Sequence, residues 1–545
     1  MDSVELVLAM LLAVVASGYV VRMLPFPLPL PLVQIALGAV IEGVFGHGVT
    51  LEPDIFFLLF LPPLLFLDGW RIPKVGLFRD KSTILELALG LVVFTVIGAG
   101  YLIHWLVPSM PLAVAFALAA IVAPTDPIAV SSIASRVPIP PRLMHILEGE
   151  ALLNDASGLV CFRFAVAAAI TGHFSLASAA VTFLWVALAG IASGVAITLA
   201  ISYAQRSLSR RFGEESGSPV LINLLTPFGA YLVAERLQGS GILAAVAAGI
   251  TMSYVELSGR ALATTRVRRA VVWDSVQFAF NGIVFVLLGE QLPDIISGAL
   301  RAAEASGGER GLWRLASTAL AVSLGLLLLR FIWVWVSLRL TLLSAKRQGH
   351  HVNVSKFRLV LATSLAGVRG ALTMAGILTL PLTLANGRPL PGRHLAIFLA
   401  ASVILISLVL ASVALPPLLR SLKLPEEPAD AAEEDFARHE AAVAAIAAVE
   451  QSSHQQAHQH IDPEIHSSAA DHVMGIYEHR LAGGVAGSMD PAKVRMADQS
   501  ERAFRLVALH AERDTILQLA RDERISDETA RKLLREIDLV EARYR

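Results

Sequence analysis

The chemistry of this 545-residue chain is concentrated in one stretch, MHILEGEALLNDASGLVCFRF, which sets His145, Glu148, Glu150, Asn154 and Asp155 in an otherwise apolar run, with Arg163 further on. In a bilayer core an ionisable group costs roughly 2.5–3.5 kcal/mol on insertion scales, so each one needs a partner, a water cavity or a function. On a helix, Glu148 and Asp155 are seven apart and share a face, while Glu150 and Asn154, four apart, share another. Two carboxylate faces on one helix suggest two jobs. Asp155 is the candidate carrier: a desolvated carboxylate either holds a proton or sheds it to bind a hard cation through oxygen, and that competition is the basis of exchange. The blander reading is a structural carboxylate paired with a base. Asn154 supplies an amide beside it, as ligand or as support.

Glu150 and Arg369 read as a buried ion pair that holds the architecture, since breaking such a pair costs about 3–5 kcal/mol; a transport role for Glu150 is the other reading. Thr125 and Asp126 lie in APTDPIAV, where Pro124 and Pro127 each remove a backbone donor. Asp126 can compensate a positive helix end, ligate the cation, or both, so Asp155 and Asp126 are the candidate ligands of a transported cation. Asp68, at the end of LFLPPLLFLDGW, is either a solvated boundary carboxylate or part of a cation funnel. Glu148, Asn281 and Glu290 are further candidates at helix interfaces, and Arg163 and Arg330 read as snorkelling or structurally paired residues. His145 reads as a polar helix terminus.

The elements that position these residues are membrane spans. The chain is 55% apolar and only 16% charged, with a mean hydropathy of +0.64, far from the composition of a soluble domain. Its charge of −1 hides a division at Lys423: 30 Lys and Arg against 21 Asp and Glu up to that point, then 14 against 24. All seven Trp precede the division. A single cysteine, Cys161, excludes a disulfide within one chain. The N-terminus MDSVELVLAM has no basic region before its apolar run, so it reads as an uncleaved first span.

Windows of about 20 residues give about 13 spans. They start near Val4, Leu30, Pro53, Thr83, Leu112, Leu143, Leu176, Pro219, Gly241, Val271, Leu312, Arg358 and His394, and the last ends near Leu419. Alternate loops hold nineteen basic residues, among them Arg71, Lys74, Arg206, Arg266 and Arg269, and the intervening loops hold five. The basic loops are therefore expected in the cytoplasm, with the N-terminus outside and the tail inside. The fifth span is interrupted at Pro124–Pro127 and the twelfth at Gly367–Gly370, around Arg369. A separation of seven spans inverts orientation, so the two breaks fit inverted repeats, and transporters build their sites where such broken helices meet.

Past Lys423 the tail is acidic and helix-like. His454, His458 and His460 read as polar linker rather than metal site. Ser526 is a candidate N-cap followed by Asp527 and Glu528, and Leu533, Ile537 and Val540 form an apolar stripe that needs a partner. No phosphate loop, nucleophile triad or nucleic-acid motif occurs, which argues against an enzyme or a nucleic-acid partner.

Taken together, EGEALLNDASGLV, APTDPIAV, AGVRGALT and LPPLLF resemble the motifs of the monovalent cation:proton antiporter family, which contains the Na+/H+ exchangers and the NhaP-type antiporters. The resemblance covers nearly all of the first 423 residues. It implies the NhaA/NhaP-like fold, an ion site at Asn154 and Asp155, a buried Glu150–Arg369 pair, and a broken-helix Thr125–Asp126. It also implies a homodimer whose core domain carries the site by an elevator-like motion. An Asn before the carboxylate is the family pattern of electroneutral exchange. Many members have Ser where this chain has Ala151, which removes a hydroxyl from the coordination shell and bears on the choice among Na+, Li+ and K+.

The expectation is an all-α polytopic membrane protein with two broken crossing helices, a transport domain over 1–423 and a mostly helical cytoplasmic tail over 424–545. Its function would be electroneutral Na+(Li+)/H+ antiport by alternating access in the bacterial plasma (inner) membrane, with no cofactor beyond the transported ions. K+/H+ exchange on the same scaffold is the alternative; a cation channel or a membrane sensor are readings from other classes.

Overall fold

The computed structural model describes residues 2–24, 28–45, 53–72, 81–127, 130, 141–171, 176–212, 217–257, 263–304, 311–347, 356–384, 388–420, 439–452, 470–475, 477–478, 491–522, 533–534 and 536–541. The chain divides into two compact units, Met1–Leu424 and Pro425–Arg545.

The first unit is a set of apolar helices punctuated by Pro, Gly and charge. In chain order they are α1 (Asp2–Met23), α2 (Leu30–Phe45), α3 (Pro53–Arg71), α4 (Lys81–Leu106), α5 (Leu112–Val122), α6 (Pro141–Thr171), α7 (Leu176–Phe212), α8 (Ser218–Arg236) and α9 (Gly241–Leu257). They continue with α10 (Ala263–Glu304), α11 (Gly311–Arg347), α12 (Lys356–Leu365), α13 (Ala371–Leu378) and α14 (Arg393–Arg420). Among the described residues seven helices are long and apolar enough to cross a membrane, and α2, α5 and α9 are shorter apolar ones. Among the described residues the extended pairing is one bridge, Thr383 to Pro389. Expected and observed spans agree in order. They differ most in α10, which runs 42 residues where Val271–Leu292 was expected, because Arg and Asp do not stop a helix that projects beyond the hydrocarbon.

Lipid is as apolar as leucine, so helices in a membrane associate through close packing rather than hydrophobic burial, and small residues decide where backbones meet. A methyl group on Gly38 of α2 would strike the Val286 carbonyl of α10, and one on Gly289 of α10 would strike the Ile35 carbonyl of α2. The same reciprocal contact joins α3 to α9, where Gly249 lies on the Phe66 carbonyl and Gly69 on that of Val246. Gly38 and Gly249 are each the ninth residue of their helix. These are the contacts that inverted repeats relating α2 to α9 and α3 to α10 would place in equivalent positions.

Two helices are interrupted. α5 stops at Val122, residues 123–126 are non-helical, and helix resumes at Pro127, a residue with no N–H to leave unsatisfied at a helix start. α12 ends at Leu365 and α13 begins at Ala371 after Gly370, whose backbone is extended. α4 carries a π-helical turn over Glu86–Leu91, and Gly90 in that turn receives the ring of Trp333 from α11. The largest buried cluster packs α4, α5 and α14 with parts of α6, α10, α11, α12 and α13 around the breaks.

In the second unit α15 (Pro491–Arg521) is linked to residues 536–541, because Arg513 donates to both Asp538, at 2.6 Å, and Glu541. Hydrogen bonds to these two carboxylates hold the Arg513 guanidinium above its ordinary pKa. Ile537 is buried, Leu533 half-buried and Val540 exposed. His454, His458, His460, Ser526, Asp527 and Glu528 lie outside the described residues.

Candidate functional site at the helix crossing

The two breaks meet. The Asp126 amide donates to the Val368 carbonyl at 2.7 Å, joining the non-helical segment after α5 to the one before α13. Each break exposes the unpaired carbonyls of one half-helix and the unpaired amides of the other. Arg369 answers the carbonyls: its Nε donates to the Val122 carbonyl at 2.9 Å and one amino group to the Gly367 carbonyl at 2.5 Å. Asp126 stands at the start of the other half-helix. Its carboxylate lies so close to Gly370, the residue preceding α13, that no Cβ would fit there. A negative charge at a helix start and a positive one at a helix end are each favoured by the helix dipole. The Arg369 amide is itself held by the Ser407 hydroxyl of α14, at 3.1 Å.

The sequence reading of a Glu150–Arg369 pair requires correction. Glu150, 1% exposed, is held by Arg330 of α11, 2% exposed, through two parallel bonds of 2.5 and 2.8 Å. The physical reason is geometric: Arg369 is spent on helix-end carbonyls, whereas Arg330 presents its planar fork to the carboxylate edge. Arg330 also donates through Nε to the Thr363 carbonyl at 3.2 Å. From the other side the Thr125 hydroxyl donates to Glu150 at 3.1 Å, and the Asn154 amide donates to Thr125 at 3.0 Å. Asn154, Thr125, Glu150, Arg330 and Thr363 thus form one buried chain of bonds across α6, the α5 break, α11 and α12.

The other face of α6 lines a cavity. A cavity of about 310 Å3 lies between α3, the α5 break, α6, α10 and α13. Its wall includes Asp68, Asp126, Glu148 and Asp155, with Ala151, Asn281 and Thr373. Glu148 and Asp155 share this face, and Glu150 and Asn154 share the buried one, as a 3.6-residue period requires. The carboxylates of Asp68, Asp126 and Asp155 are near enough to act electrostatically on one another. Among the described residues no three acidic, His or Cys side chains converge on one metal position. An ion bound here would draw its other oxygens from hydroxyls, carbonyls or water.

Arg163 pairs with Glu235 of α8 at 3.5 Å, on a half-exposed surface away from the crossing. Glu290 is buried on α10 beside α2 and is not part of the cavity wall. Three polar residues that the sequence reading did not single out as site candidates belong to the wall: Arg71, Gln277 and Thr373. Thr373 had a usable signal, a hydroxyl two residues into the half-helix after the second break. Arg71 sits at a span end, where polar residues are ordinary, and Gln277 lies well inside α10 but carries no charge, so the cost argument for ionisable groups passes over it.

A family model described as sodium/hydrogen exchanger, transmembrane, matches residues 8–421. The uncharacterized Na+/H+ exchanger YjcE of Escherichia coli is 41% identical over 541 residues, covering 98% of each chain. A sodium, potassium, lithium and rubidium/H+ antiporter of Bacillus subtilis is 43% identical over 424 residues, 76% of this chain and 61% of that one. Among solved structures, the sodium proton antiporter MjNhaP1 of Methanocaldococcus jannaschii at pH 8 superposes with a TM-score of 0.55 over 77% of this chain and 99% of that one, at 18% identity, a likeness of fold. With helix interruptions that cross beside an acid-lined cavity, and a family match spanning the whole helical unit, this chain belongs to the sodium/hydrogen exchanger family of multi-span membrane antiporters.

Proposed function

We propose that the chain exchanges Na+ or Li+ for H+ one for one by alternating access, with Asp155 as the carrier. One observation supports this above others: α6 turns Glu150 to Arg330 and Asp155 to the cavity, so one mid-helix carboxylate is neutralised by a bidentate partner while the other lines the cavity. A carboxylate in that position binds a proton or a monovalent cation, never both, and trading one for the other moves no net charge. Asp126 and the hydroxyls of Thr125 and Thr373 are among the further oxygen donors in the wall. Thr125 and Asn154 act as support through their bonds to Glu150 and to each other. Asn154 Oδ1 is buried with no hydrogen-bond partner, and a water or the cation's hydration shell would satisfy it.

The excess of basic residues in alternate loops places the C-terminal end of α3 and the N-terminal end of α6 on the cytoplasmic side. Asp68, Arg71 and Glu148 lie at those ends, so the cavity is the inward-facing route to Asp155. The same reading puts the N-terminus outside and residues 424–545 in the cytoplasm of a bacterial inner membrane, the tail serving regulation or assembly of a homodimer.

A second reading, K+/H+ exchange, is favoured by two observations. The Bacillus relative is named for sodium, potassium, lithium and rubidium alike. Ala151 lies in the cavity wall without a hydroxyl to tighten the shell around a small ion. The test is cation-induced dequenching of a pH dye in proteoliposomes, comparing Na+, Li+ and K+ for the wild type and Asp155→Asn. Proton movement with Na+ or Li+ that disappears in the variant is the expected result. A response to K+ alone makes K+ the substrate, and an Asp155→Asn protein that exchanges normally removes Asp155 as carrier.

A further inference from the structure

Among the described residues of the cavity wall, one guanidinium faces four carboxylates: Arg71, with Asp68, Asp126, Glu148 and Asp155. Arg71 is in the last turn of α3, three residues after Asp68, so the two side chains are neighbours on one helix face. The guanidinium is nevertheless turned away from the acids and onto α10. It donates to the Gln277 side-chain oxygen at 2.8 Å through one amino group and to the Asp274 carboxylate through the other. Asp274 and Gln277 are one helical turn apart, and Asn281, one turn deeper, lines the same cavity, so α10 presents a polar ladder from the mouth inwards. The Arg71 and Asp274 side chains are 40% and 64% exposed. A pair that exposed is weak enough to open and re-form.

We propose that Arg71 is a tethered competitor of the transported cation, parked on α10 by Asp274 and Gln277, and that this tether sets the cation concentration at which exchange half-saturates. The proposal deepens the exchange reading above and rests on it. A guanidinium stays charged at any working pH. Once released from α10 its nearest anion is Asp68, and from there its charge opposes entry of a cation towards Asp126 and Asp155. Because it is covalently held, saturating cation displaces it without a change in the maximal rate, which is the kinetic mark of lost ground-state binding alone. The competing account gives Asp274 a direct role as a negative rim charge that attracts cations, with Arg71 irrelevant.

The two accounts separate in a four-protein cycle measured by Na+-dependent dequenching in proteoliposomes: wild type, Asp274→Asn, Arg71→Gln and the double variant. Expected is a rise of about threefold in half-saturating Na+ for Asp274→Asn, the size an exposed pair supports, with the maximal rate unchanged. In the Arg71→Gln background the same substitution should have no effect. If Asp274→Asn fails to accumulate as folded protein, Asp274→Ser removes the same carboxylate and carries the same expectation. An unchanged half-saturation, or a rise that persists without Arg71, overturns the proposal. A wild type that exchanges normally beside a flat cycle overturns this inference alone, and a wild type with no exchange overturns both readings.

Discussion

Replacing Arg330 by Leu tests the allocation of charge at the crossing. The substitution leaves the Glu150 carboxylate, 1% exposed, with only the Thr125 hydroxyl of the contacts described above. Removing one member of a buried pair costs about 3–5 kcal/mol, because the remaining charge stays desolvated. At about 2.1 cal/mol/K per residue, unfolding the 424-residue unit carries an entropy near 0.9 kcal/mol/K, so the midpoint should fall by about 3–6 °C. Helix that persists in detergent lowers that entropy and enlarges the shift. The assay is thermal unfolding of the purified protein followed by size-exclusion fluorescence, for Arg330→Leu, Glu150→Leu and the double variant. The double variant should recover most of the loss, since replacing both charges by apolar groups removes the desolvation burden. A parallel cycle with Arg369→Leu should show much weaker coupling, as Arg369 bonds carbonyls and acts on Glu150 through its charge alone. Strong coupling of Glu150 to Arg369 and additivity with Arg330 would refute the assignment.

Two further outcomes follow from the same geometry. Gly370→Ala places a methyl group on the Asp126 carboxylate, and the backbone on both sides is pinned by the Asp126–Val368 bond, so exchange rate should fall at least tenfold, about 1.4 kcal/mol, while the protein still accumulates in the membrane; normal transport would show that Asp126 is not seated at the α13 start. With a single carboxylate shared between proton and cation, half-saturating Na+ should rise as pH falls, by up to tenfold per unit once the proton form dominates, with no change in maximal rate; a maximal rate that falls with pH at saturating Na+ would mean that a second group titrates.

What could be read in the sequence depended on whether the signal was local. Pro124, Pro127, Gly367 and Gly370 announce the helix breaks because each alters its own backbone, and the structure puts both breaks within a residue or two of them. The faces of α6 were legible for the same reason: a 3.6-residue period sorts Glu148 and Asp155 from Glu150 and Asn154 without knowledge of any other helix. The partner of Glu150 was not legible. Two buried arginines, Arg330 and Arg369, met the same cost argument, and nothing in linear spacing says which one the helix ends will claim. Arg71 and Asp274 escaped because charged residues near the ends of spans are the rule, Gln277 because it is uncharged, and only the approach of α3 to α10 makes the three a unit.

The arrangement explains how a membrane core can hold this many charges around one mobile ion. Arg369 and Asp126 are set against the ends of broken helices, where backbone dipoles supply the opposing partial charge. Glu150 and Arg330 neutralise each other through the firmest geometry available to a carboxylate and a guanidinium. These four groups are matched by fixed partners, so none requires an ion from solution. Asp155 shares the cavity wall with Asp126 but lies mid-helix on α6, away from any helix end, and the proposed exchange assigns its compensation to whatever the cavity delivers, a proton or a metal cation. A fixed frame of matched charges around one exchangeable carboxylate keeps the moving unit at the same net charge in both loaded states. On this account electroneutrality is a property of the frame as much as of Asp155. Freeing a second carboxylate, as Arg330→Leu does with Glu150, would alter the coupling of protons to cations as well as the stability of the fold.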